Sequence, residues 1–159
     1  MFAIEINNRQ SHVDADLERM RAAVAALLEE EGLESAAINI ALVDDRAIHD
    51  LNRRFLDHDE ATDVLSFLLD DSAGLEGDVV ASAETALRSA ARFGWPADDE
   101  LLLYVVHGTL HLIGYDDRDA AAQGEMRSRE KHYLAALGIQ VKHDEPPMEQ
   151  AGRVGLWSE

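Results

Sequence analysis

The segment from Leu101 to Ile113, Leu-Leu-Leu-Tyr-Val-Val-His-Gly-Thr-Leu-His-Leu-Ile, is apolar almost all the way round a helix. Such a helix has no face to give to water, so other elements must cover it, and a chain built round it needs layers. Asp98-Asp99-Glu100 put negative charge at its positive end, and Pro96 punctuates the chain just before. No apolar run approaches the ~20 residues of a membrane span. The unbroken run Leu101–Val106 therefore reads as buried helix.

The rest of the chain supplies the cover. Phe2, Ile4 and Ile6 alternate as in a half-buried strand, and so do Ile38, Ile40 and Leu42 within Ala36–Val43. Between them Leu17, Met20, Val24, Leu27 and Leu28 form a helical stripe that Gly32 closes. Asp44 or Asp45 can cap a helix carrying Ile48, Leu51 and Phe55 inward. Thr62–Leu69 is β-prone and predicts a central strand; Gly77–Ala81 predicts a short further one. Ser82 can cap a helix that ends at Gly94, and a last helix runs from Asp119 to Leu137, before Gly138. This interleaving predicts an α+β fold with α/β-type layers, a small mixed sheet of about four strands flanked by about five helices. It forms a single domain over residues 1–140. Residues 141–159 turn polar, with Pro146-Pro147 and two glycines. They predict a flexible C-terminal tail that Leu156 and Trp157 could tether.

Charge and cysteine content narrow the function. Lys and Arg number 14 against 32 Asp and Glu, a formal net charge of −18. That argues against broad, non-specific attraction to nucleic acid, which needs a basic face to displace counterions. A local basic groove stays open, because Arg46, Arg53, Arg54 and His58 cluster near the middle of the chain. The absence of cysteine excludes disulfides, thiolate metal sites and cysteine nucleophiles. Met1–Ile6 lacks the basic region and long apolar core of a signal peptide, so the expected location is the cytoplasm, with no membrane partner.

His107 and His111 stand four apart, one turn above each other on one helix face. Gly114 can stop the helix in the left-handed conformation, and the chain can then bring Asp117 back toward both imidazoles. Two nitrogens and a carboxylate oxygen suit one Zn²⁺ and leave a fourth position open, the arrangement of a hydrolytic rather than a structural site. Nickel, cobalt or manganese fit the same donors. The ligand spacing is that of the long zincin motif, but metalloproteases place a glutamate general base directly after the first histidine, where this chain has Gly108.

His107 to Asp117, preceded by Asp50-Leu51-Asn52, Thr62-Asp63-Val64-Leu65-Ser66-Phe67 and Gly77-Asp78, resembles the YbeY family of bacterial metal-dependent endoribonucleases. The order and spacing of these motifs agree over Ile4 to Gly138. The resemblance implies a metallohydrolase-like domain holding zinc, with single-stranded ribosomal RNA as substrate. It also implies a part in ribosomal RNA maturation and ribosome quality control, with ribosomal proteins or ribosome-associated factors as partners.

Two positions depart from the family pattern. Asp117 stands where the family has a third histidine; a carboxylate can replace imidazole, though its charge makes the ion a weaker Lewis acid. Leu56 stands where the family has an arginine thought to act at the phosphate, a role that needs a planar charged fork. Arg54 is the candidate stand-in, with Arg53 and His58 close by. Asp116 can orient an imidazole or cap the turn, and Asp63, at the head of its strand, can face the cleft or cap a turn. Two alternatives to the endoribonuclease reading stay open. One is a ribosome-associated binding module of the same fold without turnover; the other is a metal-dependent hydrolase of a non-RNA substrate, against which Gly108 counts for peptides.

Overall fold

The computed structural model describes residues 1–153. In chain order these form β1 (Phe2–Asn8), α1 (Leu17–Glu30), β2 (Ala36–Val43), α2 (Asp45–Leu56), β3 (Val64–Asp70) and β4 (Leu75–Ser82). There follow α3 (Ala83–Phe93), α4 (Ala97–Leu112), α5 (Ala120–Ala135) and β5 (Glu149–Arg153). The strands make one five-stranded sheet in the order β1-β2-β4-β3-β5. β1 pairs with β2, β2 with β4 and β3 with β5 in parallel, whereas β3 and β4 are antiparallel. The sheet is mixed and helix-flanked, as the sequence predicts.

Two expectations change. The central strand is β4 rather than the Thr62–Leu69 segment: β4 lies between β2 and β3, which moves β3 one place from the edge. Part of the stretch expected as a loose tail is also a fifth strand, since Glu149–Arg153 pairs with Val64–Leu68. The physical reason is that the open side of β3 presents unpaired backbone groups, and any extended segment of the same chain can satisfy them. Leu156 and Trp157 lie outside the described residues.

The period of two sorts the strands between faces. Ile38, Ile40, Leu42, Val64, Val79 and Ala81 join the large core with α1, α3, α4 and α5. Leu65, Phe67 and Val80 point the other way and pack with Ile48 of α2. α4 is thus sandwiched, with every residue from Glu100 to Leu110 buried. Among the described residues no helix is long and apolar enough to cross a membrane.

Glycine lets α4 lie close to the sheet. A Cβ at Gly108 would stand 2.7 Å from Val79 Cγ1 and 3.1 Å from Val64 Cγ2. The residue after the first histidine therefore faces the sheet with no room for a side chain. The helix ends in a Schellman motif: the Tyr115 N–H donates to the Leu110 carbonyl and the Gly114 N–H to that of His111. Gly114, at φ 115°, takes the positive-φ backbone this closure needs.

Candidate metal centre

His107 and His111 lie in the last turns of α4, above the β3–β5 side of the sheet. His107 is 1% exposed. Its Nδ1 lies 2.5 Å from Glu130 Oε2 of α5, and Glu130 is wholly buried. A carboxylate can only accept, so Nδ1 carries the proton. The other Glu130 oxygen accepts from Arg127 Nη1 at 2.8 Å. Arg127, Glu130 and His107 thus form a relay that fixes the imidazole ring and aims Nε2 at the sheet.

Glu149 of β5 lies opposite Nε2. Its Oε1 is 3.0 Å from His107 Nε2 and 3.0 Å from His111 Nδ1, and its side chain is 3% exposed. The second oxygen, Oε2, accepts from the Ser66 hydroxyl at 2.7 Å. The register pairs Glu149 with Val64 and Ala151 with Ser66, so Val64, Ser66 and Glu149 share the face toward α4. The backbone before Glu149 is clasped too. The Thr62 hydroxyl donates to the Met148 carbonyl at 2.8 Å, and the Met148 N–H donates to Asp63 Oδ2 at 2.8 Å.

His107 Nε2 has no hydrogen bond despite its short approach to Glu149. The distance suits one and the direction does not. A neutral imidazole with its proton on Nδ1 offers a lone pair at Nε2, and a carboxylate oxygen offers another. Two lone pairs facing each other in a buried pocket call for a cation with them. Protonation of the imidazoles answers the same need for positive charge. Burial favours neutral His107, but the hydrogen bond with Glu130 and the negative charges of Glu130 and Glu149 outweigh it and raise its pKa. The hydrogen bond with Glu149 is the largest influence raising His111. Burial pushes Glu149 up, yet the two imidazoles hold it below the usual carboxylate range. As they stand, the three side chains are closed on one another, and among the described residues no three His, Asp or Glu surround a common point as ligands of an ion do. The donor chemistry nevertheless fits a divalent ion: one unbonded, buried nitrogen, a second imidazole and a carboxylate. Beside them a cleft of about 440 Å³, lined by Ser66, Leu68, His111, Gly114 and Gly152 among others, gives access to His111.

The sequence model of the family described as Endoribonuclease YbeY matches residues 5–138. This chain belongs to the YbeY family. A protein named Endoribonuclease YbeY from Rhodopirellula baltica is 41% identical over 80% of this chain and 66% of its own length. One of the same name from Carboxydothermus hydrogenoformans is 41% identical over 86% of this chain and 98% of its own. Another from Chloroherpeton thalassium is 38% identical over 80% and 89%. A solution structure from Thermotoga maritima, 23% identical, superposes with a TM-score of 0.61 over 87% of this chain and 92% of that one, which shows the shared fold.

Against the YbeY pattern, His107 and His111 meet at the Glu149 carboxylate. Asp117 is exposed on the loop after the Schellman turn. Its charge reaches His111, its backbone carbonyl accepts from Gln123, and among the described residues its carboxylate hydrogen-bonds neither histidine. Asp116 accepts the Arg118 backbone N–H and guanidinium, so it ties the turn. Asp63 binds Met148, holding β5. Arg53 and Arg54 sit on α2 and share Asp50, at 2.9 and 3.4 Å. Leu56 packs against the smaller apolar cluster that contains Ile48, Leu65 and Phe67, on the α2 side of the sheet. A larger hollow of about 840 Å³ runs along α2, but its lining mixes Arg46 and Arg53 with Asp44, Asp50 and Asp59 and holds no part of the histidine pair.

Two residues of the site escape sequence reasoning. Glu130 carries a readable signal, because Met126, Glu130, Tyr133 and Leu134 make one buried stripe at helical spacing and only one of them is charged. Glu149 carries none, since nothing local shows that a polar segment will return to β3.

Proposed function

We propose that this chain is a zinc-dependent endoribonuclease that acts on ribosomal RNA in the cytoplasm, in ribosomal RNA maturation and ribosome quality control. His107 and His111 supply two ligands and an acidic side chain the third, Asp117 being the residue at the family's third-ligand position. The observation that carries this reading is His107, whose Nδ1 is locked on Glu130 while its buried Nε2 points at a carboxylate without a hydrogen bond. The family match, whose span includes both histidines, and relatives named Endoribonuclease YbeY support the reaction class.

When bound, the ion supplies Lewis-acid polarisation of a phosphoryl oxygen and acidification of water. The chain's own residues do the rest. Glu130 keeps the His107 tautomer and ring orientation, and Arg127 holds the other oxygen of that carboxylate in place. Gly108 holds α4 against the sheet, so the pair cannot drift from β3. Arg54 is more than half exposed, and a surface ion pair with Asp50 is worth only about 0–1 kcal/mol, so a phosphate can displace it. It is the proposed phosphate contact in place of the family's arginine.

Elemental mass spectrometry on untagged protein, run beside Asp117→Ala, and cleavage of a structured RNA with and without chelator test this reading. About one zinc per chain and chelator-sensitive cleavage that His107→Ala abolishes are expected. Folded, metal-free protein without cleavage refutes it. One observation favours a second reading, a ribosome-associated binding module: among the described residues Arg53 and Arg54 are both ion-paired with Asp50, and Leu56 is committed to packing. In that case His107→Ala leaves co-sedimentation with ribosomes intact and neither protein cleaves RNA.

A further inference from the structure

We propose that Glu149, carried by β5, is the third protein ligand of the metal centre. The inference rests on the metal reading above and assigns a ligand beyond residues 5–138, the stretch that the family match covers.

Four observations converge on Glu149. Its Oε1 is equidistant, at 3.0 Å, from His107 Nε2 and His111 Nδ1. One of those nitrogens is buried without a hydrogen bond, so the contact is no ordinary proton-sharing pair. The carboxylate is held as ligands are held: Ser66 binds Oε2 and leaves Oε1 free to face the histidines, as a hydrogen-bonded carboxylate ligand does. The backbone is fixed by pairing with β3 and by the Thr62 and Asp63 clasp on Met148.

The charge inventory points the same way. The Arg127 guanidinium pairs with Glu130, which leaves the buried Glu149 carboxylate facing two imidazoles and uncompensated when both are neutral. A divalent cation supplies the missing positive charge, and burying an uncompensated carboxylate is otherwise costly. Asp117 competes poorly for the role, being exposed and acting on His111 through space. Two histidines and a glutamate form a donor set that zinc accepts in hydrolytic sites. Here the glutamate arrives from a strand added to the sheet edge, so β5 closes one wall of the site and supplies a ligand at once.

The test uses the full chain stripped of metal. Zn²⁺ affinity is measured by competition with a chromophoric chelator for wild type, Glu149→Gln and Asp117→Asn, and the visible spectrum is recorded with Co²⁺ bound. Loss of an outer-shell partner costs about 10–100-fold in affinity, so loss of a direct ligand is expected to cost about 100-fold or more in Glu149→Gln. The Co²⁺ bands should shift in that variant, while Asp117→Asn stays within a few-fold of wild type. Should Glu149→Gln fail to fold, Ser66→Ala, which frees the carboxylate without removing it, is expected to weaken Zn²⁺ and broaden the Co²⁺ bands.

Unchanged affinity and spectrum in Glu149→Gln overturn the proposal, as does a loss confined to Asp117→Asn. Tighter binding in Glu149→Gln also overturns it and makes β5 a plug over the histidines. Wild-type protein that binds neither ion refutes the metal reading itself, an outcome distinct from the others.

Discussion

Replacing Gly108 by alanine isolates the packing that sets the histidine pair against the sheet. The new Cβ would lie 2.7 Å from Val79 Cγ1 and 3.1 Å from Val64 Cγ2. Carbon atoms are comfortable at about 3.5–4.0 Å, so either the valines or the helix must give by several tenths of an ångström. Valine is stiff at χ1 and both valines are fully buried, which leaves movement of α4 as the way out. Overpacking of this kind costs roughly 1–3 kcal/mol. Alanine also gains about 1 kcal/mol over glycine in a helix interior, so the expected net is a loss of about 0–2 kcal/mol.

Gly124 provides the control. It is an exposed position within α5, and a Cβ there meets nothing within 4 Å. Gly124→Ala collects the helix gain alone and should stabilise by about 1 kcal/mol. Equilibrium urea unfolding in chelator, followed by far-UV circular dichroism, compares the two at a common m-value. The difference between the variants, about 1–3 kcal/mol, is the packing term itself. If both variants shift stability by the same amount and sign, the close approach of α4 to Val64 and Val79 does not exist in solution. A second readout ties packing to the site: Gly108→Ala should weaken Zn²⁺ binding and Gly124→Ala should not.

Other perturbations follow from the same contacts. Glu130→Gln keeps the shape of the relay and removes its charge, so Zn²⁺ affinity should fall about 10–100-fold in the chelator competition; equal affinity would remove Glu130 from the site. Burial raises Asp63 from 3.8 to about 6, against the smaller lowering effect of the Met148 N–H. Its folded pKa exceeds the unfolded one, so the stability it contributes is complete below pH 3.8 and is lost as pH rises through about 6. Asp63→Asn keeps an acceptor for Met148 and should be more stable than wild type at pH 7.5, by up to about 3 kcal/mol. That advantage should fade below pH 4, and an advantage independent of pH refutes the assignment. Arg54→Ala should slow RNA cleavage at least about tenfold without changing metal content, since a phosphate contact carries charge-assisted hydrogen bonds; an unchanged rate removes Arg54 as the phosphate contact.

What the sequence reveals and what it hides divide along one physical line. The helices and strands follow from local periodicity. The Gly114 stop follows from a backbone need that glycine meets best, and the histidine pair from i, i+4 spacing on a helix that must be buried. All of these are set within a few residues. Asp117 shows the limit of such reasoning: spacing fixes how long the loop after α4 is, and not which way its carboxylate points. Glu149 lies further out of reach. Its partner strand is more than eighty residues away, and the pairing is parallel, so no tight turn announces it. Glu-Gln-Ala-Gly-Arg has little β propensity of its own, and side chains facing a half-covered edge give no alternation to read. What fixes the strand is the unpaired edge of β3, together with Thr62, Asp63 and Ser66, residues that look from sequence like turn and ladder positions. Each of the three turns out to hold Met148 or Glu149. The Thr-Asp-Val-Leu-Ser-Phe motif and the polar C-terminal segment are therefore two halves of one device, and the motif's polar residues are explained only once the carboxylate they position is in view.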